Sequence, residues 1–278
     1  VPRHPFSQVD VFSAVSFTGN PLAVVGAADH LDAAQMQEFA AWTNLSETTF
    51  LLRPTDPAAD YRVRIFTPSV ELPFAGHPTL GSAYVWLADG GTPQRPDVVV
   101  QECAAGLVTV RRQDAELAFD APPLRRYEAL SAAELATVTA GLRLDPADVL
   151  AASWLVNGPA WVGVRLASAD QVLAVRPDGP ALEGWDVGVV GPHPPGGETA
   201  VEVRAFVGGA SLVEDPVTGS LQAGLARWLI DTGVLPPAYI AAQGTVLGRR
   251  GRVRVEAVGD RLWIGGAVTR PIVGHIAL

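Results

Sequence analysis

The sequence predicts an α+β protein of two similar lobes, each a curved sheet wrapped on one buried helix. Three observations predict it. Short alternating strands, broken by Gly and Pro, recur along the chain. Two segments are apolar almost all round, as a buried helix must be. The order of these pieces occurs twice, at a spacing close to half of the 278 residues.

The strands come first. Tyr61, Val63 and Ile65 alternate with Arg62 and Arg64, the period of a half-buried strand. Leu107–Arg111, Leu117–Asp120 and Val201–Phe206 read the same way. Two surface helices open on capping boxes. Asp32 with Gln35 starts the segment holding Met36, Phe39, Ala40 and Thr43, and Ser131 with Glu134 starts the other. Leu80–Leu87 lacks a polar face, and Leu221–Ile230 has only Gln222 and Arg227 to interrupt it.

The repeat ties these together. Val63-Arg64-Ile65-Phe66 recurs as Val203-Arg204-Ala205-Phe206, 140 residues later. His77-Pro78-Thr79-Leu80-Gly81-Ser82 recurs as Asp215-Pro216-Val217-Thr218-Gly219-Ser220, 138 residues later. An apolar run ending in glycine follows each. This divides the chain into lobes at 1–121 and 122–278, with the last strand free to return to the first. Lobes of this kind face each other across a cleft, where small molecules bind.

Composition narrows the function. With 48% hydrophobic residues the chain has a large core. A net charge of −9 argues against nucleic acid, which needs basic clusters. The densest basic patch, Arg249, Arg250, Arg252 and Arg254, reads as the exposed face of a hairpin, or alternatively as a pocket for an anion. No run is long enough to span a membrane and the first residues are not of signal type, so a cytoplasmic location is expected. Cys103 is the only cysteine; it forms no internal disulfide and is expected in the core.

Chemistry is sought in the motifs. Each Gly-Ser pair is expected at the start of a buried helix, where backbone N–H groups lack partners and glycine permits close approach. Two such starts suit a carboxylate, although Ser82 and Ser220 also read as plain caps. Glu47 joins the Asp32 helix to the strand Phe50-Leu51-Leu52. Apolar neighbours there would raise its pKa toward the range of a general acid or base. His77 and Asp215 occupy the same place in the two repeats, an imidazole and a carboxylate suited to shuttling or orientation. Glu214 reads as a solvated neighbour. His4, His30, His77, His193 and His275 have no metal-ligand spacing. Walker, G-x-G-x-x-G and G-x-S-x-G motifs are absent. Acid–base chemistry by side chains remains.

Five stretches also carry a family resemblance: Phe17–Val25, Asn44–Phe50, Arg64–Gly81, Glu214–Ser220 and Gln243–Arg249. Together they resemble the PhzF-like phenazine-biosynthesis proteins, relatives of diaminopimelate epimerase. The resemblance implies two pseudo-symmetric lobes, each a barrel-like, mostly antiparallel sheet around a central helix, usually in a homodimer. It implies an active site between the lobes, no cofactor and a small anionic substrate. It places the acid–base glutamate on Glu47, other catalytic residues on His77 and Asp215, and substrate binding on Gly76, Gly219 and Ser220, with Asn20 and Ser46 from the same stretches. Epimerases of this fold use two cysteines. Here Gly76 or His77 and Asp215 fill those positions, so isomerisation by one carboxylate is expected instead. A non-catalytic binder, or a lyase or cyclase begun by the same proton abstraction, is the alternative. Leu221-Gln222 departs from many relatives and is expected to alter the pocket wall.

Overall fold

A computed structural model describes residues 2–113, 115–209 and 212–278. The chain divides into two compact units, one of residues up to Asp120 together with Gly265–Leu278, the other Ala121–Ile264.

The first unit contains β1 (Arg3–Val11), β2 (Asn20–Val25), α1 (Ala33–Thr43), β3 (Thr48–Leu52), β4 (Tyr61–Phe66), β5 (Glu71–Leu72), α2 (Gly76–Ala88), β6 (Val98–Cys103), β7 (Gly106–Gln113) and β8 (Glu116–Asp120). The chain's last strand (Arg261–Ala277) adds its later part. That strand pairs with β1, and the ladder continues through β2, β3, β4, β6, β7 and β8 before returning to it. The eight strands close a barrel. The β2–β3 and β4–β6 pairs are parallel, and most of the others are antiparallel.

Helix α2 fills this barrel because it has no polar face to show to water. Leu80, Ala83 and Val85 are buried on it. At Gly81 the helix comes so close to the wall that a Cβ would lie 2.5 Å from Leu22 and 3.0 Å from Val9. Helix α1 lies outside. Its capping box forms as expected, with Gln35 N donating to Asp32 Oδ1 at 2.9 Å and Asp32 N to Gln35 Oε1 at 3.0 Å. Its buried face, Met36, Phe39 and Ala40, packs on Val25, Phe50, Leu52 and Phe66. Each such large side chain contributes about 1.5–3 kcal/mol by leaving water.

The second unit contains β9 (Arg126–Ala129), α3 (Ala132–Leu142), β10 (Ala151–Val156), β11 (Ala160–Arg165), α4 (Ala169–Ala174), β12 (Asp186–Pro192), β13 (Val201–Gly208), β14 (Leu212–Asp215), α5 (Gly219–Asp231), β15 (Ala238–Gln243) and β16 (Gly251–Val258). Its ladder runs β9, β10, β11, β12, β13, β15, β16. Parallel pairs again occur at the corresponding places, β11–β12 and β13–β15. Helices α3 and α4 cover one face through Val138, Leu142, Val172 and Val175. Helix α5 is the buried one, and a Cβ at its Gly224 would lie 2.9 Å from Leu155 of β10.

The repeat is real, but its alignment differs from the expected one. Strands β4 and β13 correspond at a spacing of 140 residues, whereas α2 and α5, both of 13 residues, start at Gly76 and Gly219, 143 apart. Phe66 pairs with Glu71 in the first hairpin and Phe206 with Glu214 in the second, so three more residues lie between the paired positions in the second. Glu71 therefore matches Glu214, Leu72 matches Asp215 and His77 matches Ser220. Gly81-Ser82 lies inside its helix, while Gly219-Ser220 starts one. Among the described residues no helix is long and apolar enough to cross a membrane.

Candidate active site

Glu47 stands at the end of a loop that is tightly held at both ends. Helix α1 stops where Asn44 adopts a left-handed backbone, φ 54°, and caps it through an N–H bond to Ala40. Thr43 Oγ1 donates to the Ala40 carbonyl at 2.9 Å and lies 2.9 Å from Thr48 Oγ1. Thr48 is already in β3, paired with Phe66 and Ala23. Glu47 directly precedes Thr48, and its side chain is 15% exposed. Ser46, beside it, is exposed.

His77 meets Glu47. Its Nε2 lies 3.4 Å from Glu47 Oε2, and its Nδ1 lies 3.4 Å from Asn20 Nδ2. Asn20 is fully buried at the start of β2. The Gly19 before it allows this entry, since a Cβ there would lie 2.3 Å from the Val11 carbonyl oxygen. Burial pushes the His77 imidazole down from 6.5 to about 3, against a smaller upward pull from a hydrogen bond to the Pro21 backbone. The ring is neutral at physiological pH, so its contact with Glu47 is not an ion pair.

The other predicted residues belong to the second unit. Asp215 ends β14, paired with Ala205 of β13. Thr218 Oγ1 donates to Asp215 Oδ2 at 2.5 Å. Gln243 Nε2 donates to the Asp215 carbonyl at 3.1 Å and to Thr218 Oγ1 at 2.9 Å. Ser220 Oγ accepts from Trp161 Nε1 at 3.0 Å, and its carbonyl accepts from Asn157 Nδ2 at 2.8 Å. Asn157 and Trp161 went unnoticed in the sequence. Thr218 and Gln243 were given no role there, although both lie in stretches that carry the family resemblance.

One expectation needs correction. Glu214 is not a solvated neighbour; it forms a two-pronged bond with Arg204, at 2.9 and 2.8 Å, with side-chain exposures of 14% and 3%. Gln222 is buried and donates to Gln243 Oε1 at 2.8 Å. The Arg204–Glu214 pair has a counterpart in Arg64–Glu71, both bonds 2.7 Å long, and each arginine also lies over a phenylalanine, Phe206 or Phe66. These clamps fix the hairpins that lead into α5 and α2.

The helix starts differ from the rest of the fold. Helices α1, α3 and α4 are capped by the side chains of Asp32, Ser131 and Ser168, but Ala75 and Thr218 give no side-chain cap to α2 and α5. The first N–H groups of the two central helices, at Gly76, His77, Gly219 and Ser220, are not taken by the helix itself. Their partial positive charge suits an anion. Among the described residues no cluster of ligands could hold a metal ion. Cys103 is buried, with its thiol pushed up by burial, and its Sγ lies 3.4 Å from the Gly106 carbonyl.

Residues 9–268 match the family model PhzC-PhzF, phenazine biosynthesis-like protein. The chain belongs to this family. It is 34% identical over 296 residues to antisense-enhancing sequence 1 of Schizosaccharomyces pombe, covering 98% of each chain. It is 34% identical to trans-2,3-dihydro-3-hydroxyanthranilate isomerase of Pseudomonas aeruginosa, covering 93% of each. The crystal structure of a PhzF-family phenazine biosynthesis protein from Enterococcus faecalis superposes with a TM-score of 0.83 at 26% identity, covering 100% of both chains. Several curated relatives are named isomerases, and the chain is an isomerase of this family.

Proposed function

We propose that the chain is a cofactor-independent isomerase that moves a proton on a small, carboxylate-bearing, conjugated ring, with Glu47 as acid and base. The observation that carries this reading is the Glu47–His77 contact at 3.4 Å, a sheltered carboxyl group against an imidazole that burial keeps neutral. The name of the Pseudomonas relative suggests trans-2,3-dihydro-3-hydroxyanthranilate as the substrate to try first.

The carboxylate form of Glu47 takes a proton from a ring carbon, and the C–H electron pair moves into the conjugated system. The carboxylic acid, whose proton exchanges with solvent, then delivers a proton to another carbon of the same system. No electron is gained or lost, so no redox partner is needed. A neutral His77 with its proton on Nε2 donates to the Glu47 carboxylate while Nδ1 accepts from Asn20 Nδ2, which holds the base in place. The uncapped start at Gly76-His77, in the same unit as Glu47, supports binding of the substrate carboxylate. In the second unit, the family resemblance supports reading Asp215 as a group that accepts a hydrogen bond from substrate.

Incubation of the protein with trans-2,3-dihydro-3-hydroxyanthranilate in deuterated water tests this. An isomer carrying deuterium at the reprotonated carbon is expected. A thermal shift without exchange would mean a binder, and loss of a ring substituent would mean a lyase; either overturns the reading.

A further inference from the structure

The hydrogen bonds around Asp215 have a fixed direction. Gln243 is fully buried, and two backbone groups settle which way its amide points. The Thr218 N–H, which can only donate, meets Oε1 at 3.2 Å, and the Asp215 carbonyl, which can only accept, meets Nε2 at 3.1 Å. The second Nε2 hydrogen is then aimed at Thr218 Oγ1, 2.9 Å away. Thr218 Oγ1 is thereby an acceptor from one side, and its own proton is aimed at Asp215 Oδ2, 2.5 Å away. Gln222 Nε2 donates into the same Gln243 oxygen at 2.8 Å.

Thr218 is also the residue before α5, of a type that ordinarily caps a helix with its hydroxyl. Here that hydroxyl is committed to Asp215, and the helix start receives no side-chain cap. One residue thus both orients a carboxylate and leaves backbone N–H groups open beside it.

We propose that Thr218, held by Gln243, is a positioning residue that fixes Asp215 as a hydrogen-bond acceptor at the end of a one-way chain, Gln222 to Gln243 to Thr218 to Asp215. The relay rests on the reading of Asp215 as a group that binds substrate. Glu214, next to Asp215, does not compete for Thr218, because Arg204 holds both its oxygens. Asp215's strand partner, Ala205, is apolar. A charge-assisted bond from a hydroxyl is among the stronger ones a carboxylate can accept.

The test is isotope-edited infrared spectroscopy of the protein carrying 13C in its aspartate carboxyl groups, with Asp215→Asn used to identify the Asp215 band. Loss of the donated bond in Thr218→Val should move the Asp215 carboxylate stretch to higher wavenumber, and Thr218→Ser should bring it back. With an active substrate, KM should rise about tenfold in Thr218→Val with a smaller change in kcat. If Thr218→Val does not fold, Thr218→Ala removes the same hydroxyl and is read the same way. An Asp215 band unchanged in the variant without the hydroxyl would overturn the relay. The band is read on protein alone, so the relay can fail while Glu47 chemistry stands, and the reverse.

Discussion

The two units build the same frame and put different chemistry into it. In the first, the residue after the opening glycine of the central helix is His77, and the last residue of the hairpin is Leu72. In the second, those positions hold Ser220 and Asp215. The first unit strips water from an imidazole and leaves it neutral against Glu47. The second aims a threonine hydroxyl at a carboxylate. Duplication therefore supplied the scaffold, two uncapped helix starts fed by clamped hairpins, and single residues on it decide which group carries charge.

Three changes break or sharpen that comparison. The largest effect is expected from the buried clamp. Arg204→Met leaves Glu214 without its partner and removes bonds from Arg204 Nη1 to the Val172 and Val175 carbonyls at 3.2 and 2.7 Å. It should cost about 3–5 kcal/mol in denaturant unfolding. Next comes His77. Its folded midpoint lies below that of the unfolded chain, so the unfolded state binds more protons between pH 6.5 and about 3. The stability tied to His77 is therefore fully present above pH 6.5 and is lost as pH falls toward 3, by up to about 1.4 kcal/mol per pH unit. His77→Gln should flatten that part of a stability–pH curve, and the pH profile of kcat/KM should show no histidine inflection near 6.5. The smallest effect is expected from the outer clamp. Arg64 and Glu71 are 25% and 35% exposed, and Arg64→Met should cost about 1 kcal/mol or less in the same unfolding experiment. Equal losses for Arg64→Met and Arg204→Met would show that burial does not distinguish the clamps.

Much of the fold was legible because its signals are local. The alternation of Tyr61–Phe66, the capping boxes at Asp32 and Ser131, and the missing polar face of Leu80–Leu87 each predict an element that is present. The alignment of the repeats was not legible. The coincidence of two Pro-x-x-Gly-Ser strings outweighed a three-residue difference in hairpin length, which only the strand pairing reveals. Glu214 was misplaced for a related reason. Its partner, Arg204, lies 10 residues away, and nothing near Glu214 records the bond. Glu47 was a weak candidate from its neighbours alone and a strong one from the family resemblance. Its contact with His77 spans residues that only the barrel brings together.

The central claim is that the Glu47 carboxyl group carries the proton. Its most direct test is the rate of deuterium exchange into trans-2,3-dihydro-3-hydroxyanthranilate by the wild type and by Glu47→Gln, with unfolding midpoints measured alongside. The account predicts a loss of about 10²–10⁴-fold in exchange with the fold retained. Exchange by a folded Glu47→Gln protein at the wild-type rate would contradict it.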